Sequence, residues 1–553
     1  MRPDTLFEPS HHEPGPEHGV RSEFDPGTRT LPAGTRLAPR FRALPADIVL
    51  DKDVPVPVRD GTTLRVDVLR PPGDDPVPVL VAWSHHGKSH GSSPAATALF
   101  DLLGIDHGGL SGLQTFEGPD PAYWCAHGYA VCHPDPRGIA ESEGDSALFG
   151  SQEGQDCHDL VEWLAEQDWC TGKVGMTGTS CAAVAQWFTA AERPPHLAAI
   201  NPCSGFSDVH RDLVLRGGMP DTGVAEHLQH GSCGRNRRED LLAEVEAHPL
   251  IDALWRDKTA DLARITTPAY VVAGYGDALH TPGTFRAWRG LSSAQKWLRT
   301  HPAQEWTDYY HPDNIADLRL LDLEGGDRAG LPADRFPPAE VTAVDHHLDA
   351  ATRTLRPTPP AAAGEVSYDT GTDPALVSFT LRFPQRTELI GYPKAHLRVE
   401  ARGADDMDLF VLLQQLDTGG TPLRRFTVPG RGALLQDLTE RGGSALRYAG
   451  PHGRLRVSAR HLDATASTAD VPVHGFDRVE PLRPGQVVDV DVDLMPIGLV
   501  CHPGEQLRLV ISSRDLLGPS MPGIRDHAPR NKGTHVIRTG PGASYLRLPI
   551  RAR

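Results

Sequence analysis

Between Asp47 and Gly274 the apolar residues come as short strand-like runs separated by stretches of helical spacing; beyond about residue 364 they recur as brief alternating strands with no helical pattern between them. The segments Asp47–Leu50 and Val54–Val58 precede the turn Arg59-Asp60-Gly61, and Thr63–Leu69 then alternates as an antiparallel strand should. Val77–Trp83 is nearly all apolar, which suits a strand covered on both faces of an α/β sheet. Ala126–Pro134 reads as a helix end and a second buried strand. In Gln155–Gln167, Cys157, Leu160, Val161 and Leu164 share one helical face. Leu197–Pro202, Pro268–Gly274 and Gln295–Arg299 are predicted as further sheet strands, and an Asp-rich helix is expected around Ile315 to Leu323.

These patterns divide the chain. Residues 1–44, rich in Pro, Gly, Glu and His, are expected to form an extended or disordered arm whose His11, His12 and His18 are polar-tail residues. Residues 45–204 and 263–335 predict an α/β-hydrolase domain, interrupted at 205–262 by a mixed polar and helical cap. A Pro/Ala linker near Arg356 to Gly364 leads into an all-β jelly roll assigned to 345–553, with strands at Leu376–Leu381, Ala395–Val399, Leu409–Leu413, Arg454–Ser458, Val487–Leu494, Leu507–Ile511 and Tyr545–Leu548.

Lys173–Trp187 carries the chemistry. It predicts a strand, a sharp turn and a helix with Ser180 at the apex, and Gly178 and Ala182 two residues to either side. Small residues are needed there because the two backbone segments nearly touch; the turn lifts a hydroxyl to the sheet edge and aims a helix N-terminus at it. Gly91-Ser92-Ser93-Pro94-Ala95 also fits the loose pattern, but it lies well beyond its strand, and Pro94 would remove an amide that an oxyanion site needs. A serine nucleophile requires a base, and the base a carboxylate. Asp277 follows the first strand beyond the cap and His301 ends the next, in the order Ser, Asp, His expected of such a sheet. The Cys181 backbone amide is one candidate oxyanion donor. His86 or a nearby amide, in the loop after Trp83, is the other. The Cys181 side chain is expected to face the sheet, in a packing role.

Composition narrows the function classes. Fifty-five Lys and Arg against 72 Asp and Glu give a net charge of −17, which disfavours nucleic acid or an anionic membrane as partner. Eight cysteines, at 125, 132, 157, 170, 181, 203, 233 and 501, form no C-x-x-C pair and read as buried free thiols. No signal peptide or membrane span is visible, so a cytoplasmic location is expected. His85, His86 and His90 lack the helical pairing of a metal motif, and no Walker or Rossmann glycine pattern occurs; neither metal nor cofactor is called for.

Taken together, several stretches resemble the CocE/NonD family, the cocaine-esterase and X-Pro dipeptidyl-peptidase-like serine hydrolases. They are Val58–Leu64, Asp135–Gly138 with Ser142–Gly144, Asp168–Ser180, Gly274–Thr281, Lys296–His301 with Gln304–Trp306, Glu388–Pro393 and Asp406–Val411. The resemblance implies a hydrolase domain with cap and jelly roll, and a triad of Ser180, His301 and Asp277. It departs at His85-His86, where the family often has a Pro-Tyr pair supplying an oxyanion donor, at Cys181 in place of Tyr, and at Ala182 in place of Gly. The implied activity is cleavage of a small-molecule ester or amide through an acyl-enzyme. X-Pro dipeptidyl-peptidase-like or β-lactam acylase activity is the alternative, as is a non-hydrolytic, acyl-transfer or binding role on the same fold. A cap carboxylate cluster, with Glu226, Glu239 and Glu244 to Glu246 as candidates, would favour the amide reading. A homodimer through the jelly roll is left open.

Overall fold

A computed structural model describes residues 5–10, 24–231, 234–310, 320–328, 331–428, 446–518 and 529–551. Cys233, the histidines of the arm and the start of the helix expected near Ile315 lie outside them. Nine strands form the first large sheet, in the order Lys296–His301, Ala269–Gly274, Leu197–Cys203, Cys170–Thr179, Val77–Val81, Ala130–Asp135, Thr63–Arg70, Ile48–Pro57 and Gly27–Leu31. The first six run parallel and the last three are antiparallel. The most apolar runs, Val77–Val81 and Ala269–Gly274, are parallel strands of this sheet. Ala130–Asp135 is buried at every position, whereas Thr63–Arg70 alternates between buried and half-buried.

Two stretches read as separate strands, Asp47–Leu50 and Val54–Val58, are one strand, Ile48–Pro57, whose register shifts between Asp51 and Val54. Asp53 takes φ 55° at this bulge and its carboxylate turns inward to Lys52 and Lys88. The arm, expected to be extended or disordered, is extended and docked where it is described. Gly27–Leu31 is an edge strand on Ile48–Pro57, Phe7–Pro9 pairs with Arg237–Glu239 of the cap, and Phe41 and Leu44 are buried in the core. Its few apolar residues are spaced for docking onto a surface that already exists, which composition cannot reveal. Likewise Leu321–Asp322, placed in a helix by its sequence, is a short strand beside Ile497–Cys501.

The cap contains a π-helical turn, His210–Val214, and the helices Gly223–Gly231, Leu241–Ala247 and Ala253–Asp257. The C-terminal part is a 14-stranded, mainly antiparallel sheet. A strand is present at each of the seven places expected, although the one expected at Arg454–Ser458 ends at Arg456 and passes into a 3-10 turn, Val457–Ala459. The sequence reading missed Val341–Asp349, Thr387–Gly391, Ile497–Cys501 and Thr534–Thr539, among others; the last three are buried at nearly every position and so do not alternate. The β domain is cemented to the hydrolase domain: Ala273, Tyr275 and Phe285 belong to its core cluster, and a Cβ at Gly498 would collide with the Tyr275 ring. No helix among the described residues is long and apolar enough to cross a membrane.

Cap and β domain meet at Arg454, whose buried guanidinium binds Asp221 of the cap at 3.0 Å and Asp515 at 2.7 Å. Removing one partner of a buried pair leaves uncompensated charge. Arg454→Ala is therefore expected to lower the unfolding free energy by about 3 kcal/mol, read by chemical denaturation.

Candidate active site

Ser180 stands between the strand Cys170–Thr179 and the helix Cys181–Glu192 with φ 53° and ψ −120°. A non-glycine residue in this region costs on the order of 1–2 kcal/mol and persists only where its surroundings enforce it. Here the Ser180 N–H donates to the carbonyls of Cys203 (3.1 Å) and Ser204 (3.2 Å), fixing the turn to the neighbouring strand. A Cβ on Gly178 would stand 2.5 Å from the Ala182 Cβ and 3.1 Å from the Glu117 carbonyl oxygen, so both positions must be small. The helix behind is buried on all sides; Trp187 is wholly buried and its indole N–H donates to the Gly205 carbonyl at 3.2 Å. Ser93 of the rejected alternative motif is an ordinary N-cap, its hydroxyl accepting from the Ala96 N–H.

The imidazole hydrogen-bonded to Ser180 belongs to His280. Its Nε2 lies 3.2 Å from the Ser180 Oγ, and its ring is stacked on Phe206 at 5.5 Å with an interplanar angle of 9°. Asp277, at the end of Ala269–Gly274, turns back on the same loop and accepts from the N–H groups of Leu279 (2.9 Å) and His280 (3.2 Å). The Glu305 carboxyl hydrogen-bonds to Asp277; one ligand atom each of Asp277, His280 and Glu305 lies within 4.8 Å of the others. His301, expected as the base, ends the edge strand opposite Gly274; its ring lies against the Gly274 backbone, and its Nδ1 is 3.6 Å from Asp308.

Charge in the site is unevenly held. Burial pushes the His280 imidazole below its usual range, although Asp277 and Asp212 pull the other way. Burial also acts to raise Asp277, but His280, Glu305 and the two backbone amides outweigh it and keep the carboxylate below its ordinary range. Glu305 takes the opposite share: burial and then the Asp277 charge hold it well above the carboxylate range, as a neutral acid. Like charges so close cannot both ionise.

On the other side of Ser180 stands Glu117, a residue that no motif or periodicity marks. It is fully buried, with φ 70°. Its Oε2 accepts from the Cys181 N–H at 3.1 Å and its Oε1 from the Trp306 indole N–H at 3.1 Å; the Ser180 hydroxyl also hydrogen-bonds to it. Burial raises it to about 7, against these three donors and the nearby His85. His86 faces the same carboxylate, with Nε2 3.9 Å from Glu117 Oε2, and packs edge-on against Phe116. His85 turns away into a pair with Glu153 at 2.8 Å.

Among the described residues, two trios could present three ligand atoms to a cation: His86, Glu117 and Cys181, and Asp277, His280 and Glu305. In each, one group is held in its neutral form, the Cys181 thiol by burial and Glu305 by burial beside Asp277. The cap carboxylates are not gathered at the serine. Glu239 pairs with Lys258 at 2.5 Å and accepts from the Leu148 N–H, and Glu244 accepts from the Leu6 N–H.

A parallel sheet with a strained serine elbow at its C-terminal edge, followed by a helical cap and an all-β domain, defines an α/β-hydrolase of the serine type. The comparisons agree. Residues 60–241 match the X-Pro dipeptidyl-peptidase (S15 family) model and residues 314–547 the X-Pro dipeptidyl-peptidase C-terminal non-catalytic domain. A CocE/NonD family hydrolase from Staphylococcus aureus superposes with a TM-score of 0.86 at 28% identity, over 98% of this chain and 100% of that one. Cocaine esterase from Rhodococcus sp. (strain MB1 Bresler) is 35% identical over 159 residues, 29% of this chain but only 24% of that protein. An α-amino acid ester hydrolase shares the fold, with a TM-score of 0.65 at 15% identity over 91% of this chain and 97% of the other. The chain belongs to the CocE/NonD family of serine hydrolases.

The seven described cysteines are free and buried, and burial drives the Cys181 thiol far above its normal range. Only the thiolate is nucleophilic. Native protein treated with iodoacetamide at pH 8 should leave Cys181 unmodified by peptide mass spectrometry, and denatured protein should carry the adduct there.

Proposed function

We propose that the protein hydrolyses a carboxylic ester of a small molecule through an acyl-enzyme on Ser180, with His280 as general base and the nearby Asp277 charge favouring its protonated form. The observation that carries this reading is the 3.2 Å contact between His280 Nε2 and the Ser180 Oγ. His280 takes the hydroxyl proton as Ser180 attacks the ester carbonyl and returns it to the departing alcohol; it then activates water to release the acid. The ionised Asp277 stabilises the transient imidazolium, and neutral Glu305 donates a hydrogen bond to Asp277 that keeps its charge in place. The Cys181 N–H and His86 are the oxyanion donors of this reading. The tetrahedral oxygen would take the position next to them where Glu117 Oε2 now lies, 3.1 Å from that amide.

Ester is favoured over amide because Glu239 and Glu244, which could have gripped a substrate's free amine, are engaged by Lys258 and by the backbone amides of Leu148 and Leu6. The X-Pro dipeptidyl-peptidase and acylase alternatives lose the support of these two carboxylates.

A fluorophosphonate probe is expected to label Ser180, with no adduct in Ser180→Ala. Among folded variants, His280→Gln should lose about 10²–10⁴ in kcat/KM on a chromogenic ester, the range for removing a general base, while His301→Gln should fall far less. The reverse ranking would restore His301 as the base. Because His280 must be neutral to accept a proton and burial lowers its pKa, activity should rise with pH on an acid limb centred below 6.5, and that limb should vanish in His280→Gln.

A further inference from the structure

A carboxylate stands where an oxyanion should form. The Cys181 N–H, first amide of the helix behind the serine, is a donor that acyl transfer needs for the tetrahedral oxygen. In this chain it is already used by Glu117 Oε2 at 3.1 Å, with His86 Nε2 on the same oxygen's other side at 3.9 Å. The placement is enforced. The Glu117 backbone is tied to the elbow, its carbonyl accepting from the Thr179 N–H at 3.0 Å, and its other carboxylate oxygen is pinned by the Trp306 indole. Ser180 also hydrogen-bonds to it, so the single hydroxyl proton is shared between Glu117 and His280.

We propose that Glu117 is a resident occupant of the oxyanion site, a catalytic-site residue whose ionised form competes with the substrate carbonyl for the Cys181 amide and whose protonated form yields it. This deepens the acyl-enzyme reading and rests on it. An anionic neighbour repels the charge that develops on the carbonyl oxygen; a neutral carboxylic acid does not, and its O–H can turn toward that oxygen as a further donor. The titratable groups around it act in both directions. His85 and His86 favour the ionised form, while neutral Glu305 on the far side, the buried Cys181 thiol and the buried Tyr310 phenol add no charge. Burial outweighs the donors and sets the exchange near pH 7.

The test is the pH dependence of kcat/KM for p-nitrophenyl acetate in the wild type and in Glu117→Gln, each checked for a cooperative thermal melt. The wild type should show an alkaline limb falling about tenfold per pH unit above about pH 7. Glu117→Gln, an uncharged isostere, should lose that limb and exceed the wild type at pH 9 by about 100-fold. An unchanged limb, or a variant slowed at pH 6 where Glu117 is already neutral, overturns the proposal. Should Glu117→Gln fail to fold, Trp306→Phe serves: it removes a donor to the carboxylate, so the limb must move to higher pH. A second readout does not depend on turnover. With 5-fluorotryptophan incorporated, the Trp306 fluorine signal, assigned by its loss in Trp306→Phe, should titrate near pH 7 and cease to do so in Glu117→Gln. No such titration overturns the proposal. Titration in a protein that hydrolyses no ester supports the occupancy of the oxyanion site and sinks the acyl-enzyme reading instead.

Discussion

The close approach of two backbones at the serine turn governs everything around it. Gly178 and Ala182 are small because a side chain at either would meet the other, and the Glu117 carbonyl closes the third side. With φ positive at Ser180, the turn is a strained conformation held by hydrogen bonds to the next strand. That strain is affordable only in a sheet whose parallel strands and flanking helices are rigid, and the burial of the helix Cys181–Glu192 on all sides supplies the rigidity. The same contact that forces the turn also brings the loop bearing Glu117 to the nucleophile. The elbow and its unusual carboxylate neighbour are consequences of one piece of packing.

Electrostatics then separates two sides of a single hydroxyl. One side offers neutral His280 backed by ionised Asp277 and protonated Glu305; the other offers a buried carboxylate with its acid–base balance shifted toward neutral pH. Three carboxyl groups around one serine cannot all be charged in a medium this dry, so the site divides its protons among them.

Much of the architecture is legible in the sequence. Apolar runs mark the parallel strands, alternation marks Thr63–Arg70, and the change to short strands beyond the linker marks the β domain. The positions of Ser180 and Cys181 at the turn, and of Asp277 beyond a strand end, are legible too, because the local pattern there is strong. The arm is not. Phe41 and Leu44 look like isolated apolar residues in a polar stretch until the surface that buries them exists. His280 and Glu305 lie inside the motifs that identify the family, three residues after Asp277 and four after His301, yet their spacing says only that they are near a strand end. Glu117 sits in a loop with no periodicity and no motif.

The sequence by itself determined the order of elements, the serine turn and the family, since these follow from local periodicity, turn chemistry and short motifs. The tertiary structure alone decided which imidazole meets the serine and which carboxylate fills the space beside it. The physical reason is that strand ends are set by short-range pattern, whereas the direction in which a loop folds back over a sheet edge is set by packing among segments distant in sequence. Glu117 and Cys181, 64 residues apart, meet across one hydrogen bond, and His280 meets Ser180 across 100 residues. No local rule relates such pairs; the close-packed interior does.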